Sequence, residues 1–186
     1  MSTYVEPPLT VTDLEGMPED GNRYEVIEGE LYVSTAPGLP HQSALGNLYF
    51  ALKLYLKDHQ LGSVYFGVGV VFDEFSGVIP DLLFISNARL KRTLAGGRLI
   101  AAPEIVVEAL SPGKTNENRD RLVKRKLYSS RGVSEYWILD PENRTVEISR
   151  KRKEGGLKHA LVLHEDDEIT SHILPDLRVP VAQLFE

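Results

Sequence analysis

The sequence predicts a single α/β domain, a mixed β-sheet with a helix packed on each side. Three observations carry that expectation. Runs of β-branched and aromatic residues recur, as in RYEVIEGELYVS (23–34), SVYFGVGVVF (63–72) and VSEYWILD (133–140). Between them lie two helical segments. One is marked by Leu45, Leu48, Leu52, Tyr55 and Leu56 at steps of three and four, the other by a charged stretch that stops at Gly132. Finally, EIVVEAL (104–110) is apolar on both sides except at Glu108, the pattern of a strand covered on both faces.

Taken in order, residues 1–22 read as an irregular arm with prolines at 7, 8 and 18, and Thr10 to Gly16 offers one capped helical turn. A hairpin follows, turning at Glu28-Gly29. Ala36-Pro37-Gly38-Leu39-Pro40 breaks the chain before a helix expected from His41 to His59. Two β-rich runs around Asp73–Gly77 read as a second hairpin, and 87–97 as a short helix or loop. After the 104–110 strand comes a helix expected from an Asn118 N-cap to Arg131, with Gly132 as its C′ stop. VSEYWILD and RTVEISRKR then pair across Asp140–Asn143. The C-terminal 30 residues supply edge strands, a turn and a short helix.

Composition narrows the function classes. With 186 residues, 42% apolar and 26% charged, the chain can bury a real core and is not of disordered composition. No apolar run reaches the roughly 18 residues of a membrane span. The N-terminus lacks the basic-then-apolar order of a signal peptide. The absence of cysteine excludes disulfides, thiolate zinc and thiol catalysis, and suits a cytoplasmic location. Net charge is −6, unlike a typical nucleic-acid binder, but it is unevenly spread. Up to residue 88 there are 3 cations against 12 acids; beyond it there are 18 against 15. Seven cations fall within 114–131 and four more form Arg150-Lys151-Arg152-Lys153. These clusters either form solvated faces or neutralise phosphates.

The chemistry centres on Glu108. Strand alternation places it with Val106 and Leu110, so it needs a cation or a hydrogen-bond donor. A buried arginine pair and a metal ion both satisfy that need. Asp81, after Pro80 and before LLFIS, either caps a turn or faces Glu108 from a neighbouring strand. In the latter case a hard divalent cation, magnesium or manganese, would relieve the repulsion. Asp120, Lys124 and Tyr128 share one helix face, so Lys124 either pairs with Asp120 or reaches the two carboxylates. His41 is a candidate phosphate or metal contact or a helix cap. His164 with the acids at 165–168 reads as a solvated loop. Ser111 lacks any nucleophile motif, and no glycine-rich phosphate loop is present. Of Tyr136 and Trp137, alternation sends one to the core and leaves the other for a subunit contact.

The ordered set resembles the PD-(D/E)xK restriction-endonuclease-like superfamily, and within it the Uma-two branch of endonucleases. The residues that carry the resemblance are Tyr24 to Leu31, His41, Pro80-Asp81, Pro103, Val107 to Pro112, Asp120, Lys124 and Tyr128. Gly132-Val133, Glu135 to Trp137 and Leu174 to Leu177 complete it. It extends over nearly the whole chain, and its strength lies in the order and spacing of motifs that are individually weak. It implies a restriction-endonuclease-like sheet flanked by helices, with an N-terminal β-hairpin. It also implies a Mg2+ (or Mn2+) site on Asp81, Glu108 and the Ala109 carbonyl, with Lys124 as the third catalytic residue. The superfamily's usual lysine position is Leu110 here, so Lys124 would replace it from the following helix, with Lys114 and Lys126 as rivals. The implied reaction is DNA phosphodiester hydrolysis by a homodimer, with Glu25 and Glu28 as optional acids around the site. A non-catalytic nucleic-acid or protein-interaction domain, or a hydrolase of small phosphate esters, is the competing reading.

Overall fold

The computed structural model describes residues 7–186 except 154 and 159, so the first six residues of the expected arm lie outside the described residues. The rest of the arm carries one 3-10 turn (Thr12–Gly16) and is tied down by backbone hydrogen bonds from Leu9 to Gly29 and from Val11 to Glu74. The hairpin forms as expected: β1 (Arg23–Ile27) pairs antiparallel with β2 (Glu30–Ser34), and Ile27 faces Glu30. Its two turn residues both take positive φ, 51° at Glu28 and 84° at Gly29, which matches the right-handed twist of the flanking strands. Helix α1 (Leu39–Asp58) starts at an uncapped Gly38 and buries Leu45, Leu48, Leu52 and Leu56, the stripe read from the sequence.

The next stretch departs from the expectation. It is a long hairpin folded over between two sheets. β3 (Gly62–Phe66) pairs with β6 (Leu82–Ser86), whereas β4 (Val70–Asp73) pairs with β5 (Ser76–Val78) in a different sheet. The chain bends at Gly67, with φ +56°, on one side and at Ile79-Pro80-Asp81 on the other. Asp81 therefore sits at a corner. Helix α2 (Asn87–Thr93) leads to β7 (Leu94–Ala95), β8 (Arg98–Leu99) and the central β9 (Ile105–Ala109).

The charged helix runs from 114 to 131 in three windings. These are α3 (Lys114–Asn118), a π-helical middle (Arg119–Lys124) and α4 (Arg125–Arg131). The expected Asn118 N-cap is wrong: Asn118 has helical dihedrals, and the N-cap is Gly113, whose φ of 111° suits glycine. Gly132, at φ 87° and ψ 21°, closes the helix as expected. β10 (Glu135–Asp140), β11 (Thr145–Arg150), β12 (Leu161–Leu163), β13 (Glu168–Ile169) and β14 (Val179–Pro180) precede a 3-10 turn (Val181–Phe185).

Among the described residues the strands form two six-stranded sheets, not one, with β13 and β14 as a separate pair. The main sheet has the order β12-β11-β10-β9-β6-β3, with β9 and β10 parallel and its other neighbours antiparallel. The second has the order β2-β1-β5-β4-β8-β7. On one face of the main sheet, Val107, Ala109, Trp137 and Leu139 pack against α1 and the C-terminal turn. On the other face, Val106, Leu110, Tyr136 and Ile138 pack against Leu127 and Tyr128 of α4 and against Ile27, Val70 and Val78 of the second sheet. Covering both faces buries both aromatics of β10, Tyr136 at 1% and Trp137 at 0% exposure. Neither is left for a subunit contact, which corrects that expectation. Glu108 lies on the second face, under the charged helix.

Candidate active site

Asp81 and Glu108 meet through strand register. Leu82 faces Val107 and Leu83 faces Val106, so one further antiparallel step sets Asp81 beside Glu108. Cross-strand neighbours have Cβ atoms about 5 Å apart, and two carboxylates so placed repel. Both are buried, at 8% and 2% exposure. The Asp81 corner is held by three donors. Arg23 Nη1 lies 2.6 Å from Oδ1, while the Ala109 N–H (3.0 Å) and His41 Nε2 (3.2 Å) meet Oδ2. Glu108 Oε1 accepts from Lys124 Nζ at 3.0 Å and from the Tyr128 hydroxyl at 2.8 Å. Of the two alternatives for Lys124, it crosses to the strand rather than pairing with Asp120, which Arg119 takes instead; Asp120, Lys124 and Tyr128 are all buried. The helix's π-helical turn lies where both Asp120 and Lys124 point inward, a winding that recurs at functional sites.

Other residues of the site were undervalued or missed in the sequence. Glu25, expected only as an optional acid around the site, is 1% exposed. Its Oε2 lies 2.9 Å from Lys124 Nζ as an ionic contact, and its Oε1 accepts the Ile79 N–H at 2.7 Å. Arg23 was assigned no role. Arg119 forms a bidentate pair with Asp120 and reaches Ser34 Oγ at 2.7 Å. The signal for Glu25 was its alternation with Arg23 and Ile27 on one strand face; nothing local named its partner, 99 positions away. Glu28 stays outside, paired with Lys126, which removes that rival from the site. Lys114 opens the helix away from this contact set, and the acids after His164 form an exposed turn.

The charges explain the proton positions. Leaving His41 aside, Glu25, Asp81, Glu108 and Asp120 supply four negative charges and Arg23, Arg119 and Lys124 three positive ones. Burial alone would raise the Asp81 carboxyl. The His41 hydrogen bond and the charges of His41, Lys124 and Arg23 outweigh it and hold Asp81 well below the usual carboxylate range. Glu108 carries the unbalanced charge: burial pushes it up to about 8, Lys124 opposes, and Asp81, Asp120 and Glu25 add to the rise. Burial would lower Lys124, but Glu108 and Glu25, then Asp120 and Asp81, hold its ammonium firmly charged. Burial and the nearby Glu108 raise Tyr128 well above a normal phenol, so it remains a donor.

A cavity of about 200 Å³ opens onto this cluster, lined by Arg23, His41, Asp81, Glu108, Ala109, Arg119 and Lys124 among others. Among the described residues no three or more His, Cys, Asp or Glu are disposed to hold a metal. A zinc cage is not matched, but two carboxylates on adjacent strands fit a small hard cation, which uses one or two carboxylates and keeps several waters.

Of the two readings of the charged helix, the structure favours a solvated face with intramolecular pairs: Lys114 and Lys126 are exposed. Arg121 pairs with Glu117, Asp140 and Glu147, Lys126 with Glu28, and Arg131 with Asp73. The 150–153 cluster also lies elsewhere. Glu135 faces both Arg150 and Ile105, so that tip is at the opposite end of the sheet from Ala109. Intramolecular pairing decided these positions, which charge counting cannot see.

Residues 11–182 match the Uma2 family, described as "Putative restriction endonuclease". No curated protein matches the chain. Among solved structures, a crystal structure described as "a putative nuclease belonging to DUF820" from Anabaena variabilis ATCC 29413 has the same fold. The TM-score is 0.77 at 18% identity, covering 96% of this chain and 98% of the other. Among the described residues no helix is long and apolar enough to cross a membrane.

Proposed function

The chain belongs to the Uma2 family, and from that premise we propose that it is a metal-dependent endonuclease that hydrolyses DNA phosphodiester bonds at the Asp81–Glu108–Lys124 cluster. The observation that carries this reading is the pairing of two buried carboxylates across β6 and β9 with a buried lysine delivered by the next helix. Asp81, Glu108 and the Ala109 carbonyl would hold Mg2+ or Mn2+, which would supply a more acidic bound water and a polarised phosphoryl oxygen. Tyr128 orients the Glu108 carboxylate through Oε1. Glu25 holds Lys124 charged and aimed at the same oxygen. Lys124, which lines the cavity, would offset the negative charge that builds up on the phosphoryl group as water adds and the ester P–O bond breaks. The leaving alcohol takes up a proton, giving a phosphate monoester and a free hydroxyl.

The test is nicking of supercoiled plasmid with Mg2+ or Mn2+ by the wild type beside Asp81→Asn and Glu108→Gln. Cleavage by the wild type should require the metal and fall by about 10²-fold or more in both variants. Full cleavage by either variant would remove this site from the reaction. The competing reading is a non-catalytic domain, in which Arg23, His41 and the Ala109 N–H hold Asp81 as a structural corner. That reading gains if the wild type neither cleaves plasmid nor binds metal.

A homodimer in a cytoplasmic setting completes the proposal. The unpaired edge of β3, which carries no charged residue, together with exposed Phe50 and Leu54 on α1, would supply apolar surface for such a contact. A light-scattering mass of one chain, 20.8 kDa, would refute it.

A further inference from the structure

Arg23 stands where a cation bound to Asp81 would stand. Its Nη1 is 2.6 Å from Asp81 Oδ1 and 3.1 Å from the Ile79 carbonyl. It is also the most accessible cation of the cluster. Its side chain is 33% exposed, against 11% for Arg119 and 2% for Lys124. The other Asp81 oxygen, Oδ2, is held separately by the Ala109 N–H and His41. Asp81 therefore keeps two of its contacts if Arg23 leaves.

The guanidinium has space to move. Arg23 lies on the wall between the catalytic cavity and a second cavity of about 290 Å³, lined by Glu15, Tyr24 and Arg98 among others. It also has an electrostatic reason to move. A divalent cation on Asp81 brings two positive charges to the carboxylate oxygen that Arg23 now meets, so the guanidinium and the metal repel each other. With metal on Asp81, Arg23 loses its carboxylate to a stronger cation, and a phosphodiester entering the cavity that Arg23 lines offers the guanidinium a new anionic partner. A guanidinium suits that partner because its fork of N–H groups matches two phosphate oxygens.

We propose that Arg23 holds the metal's place on Asp81 in the metal-free protein and turns to the substrate phosphodiester when a divalent cation takes Asp81. The second half rests on the nuclease reading; the exchange of Arg23 against metal does not.

The experiment measures Mn2+ affinity by calorimetry, without DNA, for the wild type, Arg23→Gln and Arg23→Lys. It also measures binding of a short duplex oligonucleotide with Mn2+ and with EDTA. Arg23→Gln should bind Mn2+ about tenfold more tightly, because its competitor for Asp81 is gone. It should bind DNA about tenfold more weakly in Mn2+ and unchanged in EDTA, where the wild-type Arg23 is held on Asp81 and does not reach DNA. Arg23→Lys keeps the charge and should stay within about twofold of wild type for Mn2+. Thermal melts in EDTA check that the variants fold. The guanidinium proton resonances of Arg23 in the wild type, which should shift on adding Mg2+, provide a measurement independent of any variant. Unchanged or weaker Mn2+ affinity in Arg23→Gln, or Arg23 resonances unmoved by bound Mg2+, overturns the exchange. Tighter Mn2+ with no DNA bound or cut by any variant leaves the exchange standing and removes the nuclease reading. If no variant binds Mn2+, both fall.

Discussion

Lys124→Met is expected to lower stability by about 3–5 kcal/mol and to abolish metal-dependent cleavage. Removing one partner of a buried ion pair leaves the other charge without solvent or counter-charge, and that loss exceeds the net value of the pair. Here one ammonium serves two buried carboxyl groups, Glu25 at 2.9 Å and Glu108 at 3.0 Å, so the variant leaves Glu25 without its counter-charge and Glu108 without a donor. Methionine fills much of the space but offers no charge. In a domain of this size the melting temperature should fall by roughly 6–20 °C. Lys124→Arg restores the charge without relieving the problem, since a longer planar fork does not fit a fully buried pocket. Differential scanning calorimetry at pH 7 in EDTA measures the first effect; plasmid nicking, assayed well below the variant's melting temperature, measures the second. A melting temperature within 2 °C of wild type would show that Lys124 does not hold the cluster together.

The second large effect depends on pH. Glu108→Gln is expected to be more stable than wild type in EDTA at pH 8 to 9, by on the order of a few kcal/mol, and nearly equal to it at pH 5. The sign follows from the proton count. The Glu108 carboxyl has a value of about 8 when folded against 4.5 for a solvated glutamate. Between those values the folded chain holds a proton that the unfolded chain has released, so wild-type stability falls as pH rises from 4.5 to about 8 and then levels off. Glutamine cannot ionise and loses this slope while still accepting from Lys124 and Tyr128. Asp81 does not confuse the comparison. Its folded value is depressed, so its contribution is lost only as pH falls below 3.8. Saturating Mn2+ should raise the wild-type melting temperature most above pH 8, where Glu108 is ionised, and should leave Glu108→Gln nearly unmoved. A wild-type minus variant difference that is flat from pH 5 to 9 would contradict the burial of Glu108 as an under-compensated charge.

Much of this arrangement could be read along the chain. Alternation in 105–110 put Glu108 on the face opposite Val107, and four-residue spacing put Lys124 between Asp120 and Tyr128. Both readings hold in the structure. The folded hairpin of β3–β6 was not legible, because Gly67 and Pro80 announce bends without saying that the strands beyond them join another sheet. Charge runs misled for a related reason. Arg121, Lys126 and Arg131 look like a phosphate-binding face until Asp140, Glu147, Glu28 and Asp73 arrive from distant elements to neutralise them.

The sequence by itself determined the element types, the two-faced burial of β9 and the presence of an acid–acid–lysine set. Those properties follow from periodicities of two and 3.6 residues and from the side chains themselves. Only the tertiary structure decided that Arg23 sits on Asp81 and that Glu25 completes the lysine's shell. These contacts span 58 and 99 positions, and they depend on strand register and on a second sheet folding over the first. Local chemistry sets what each charge requires; the packing of remote elements sets which partner meets that requirement.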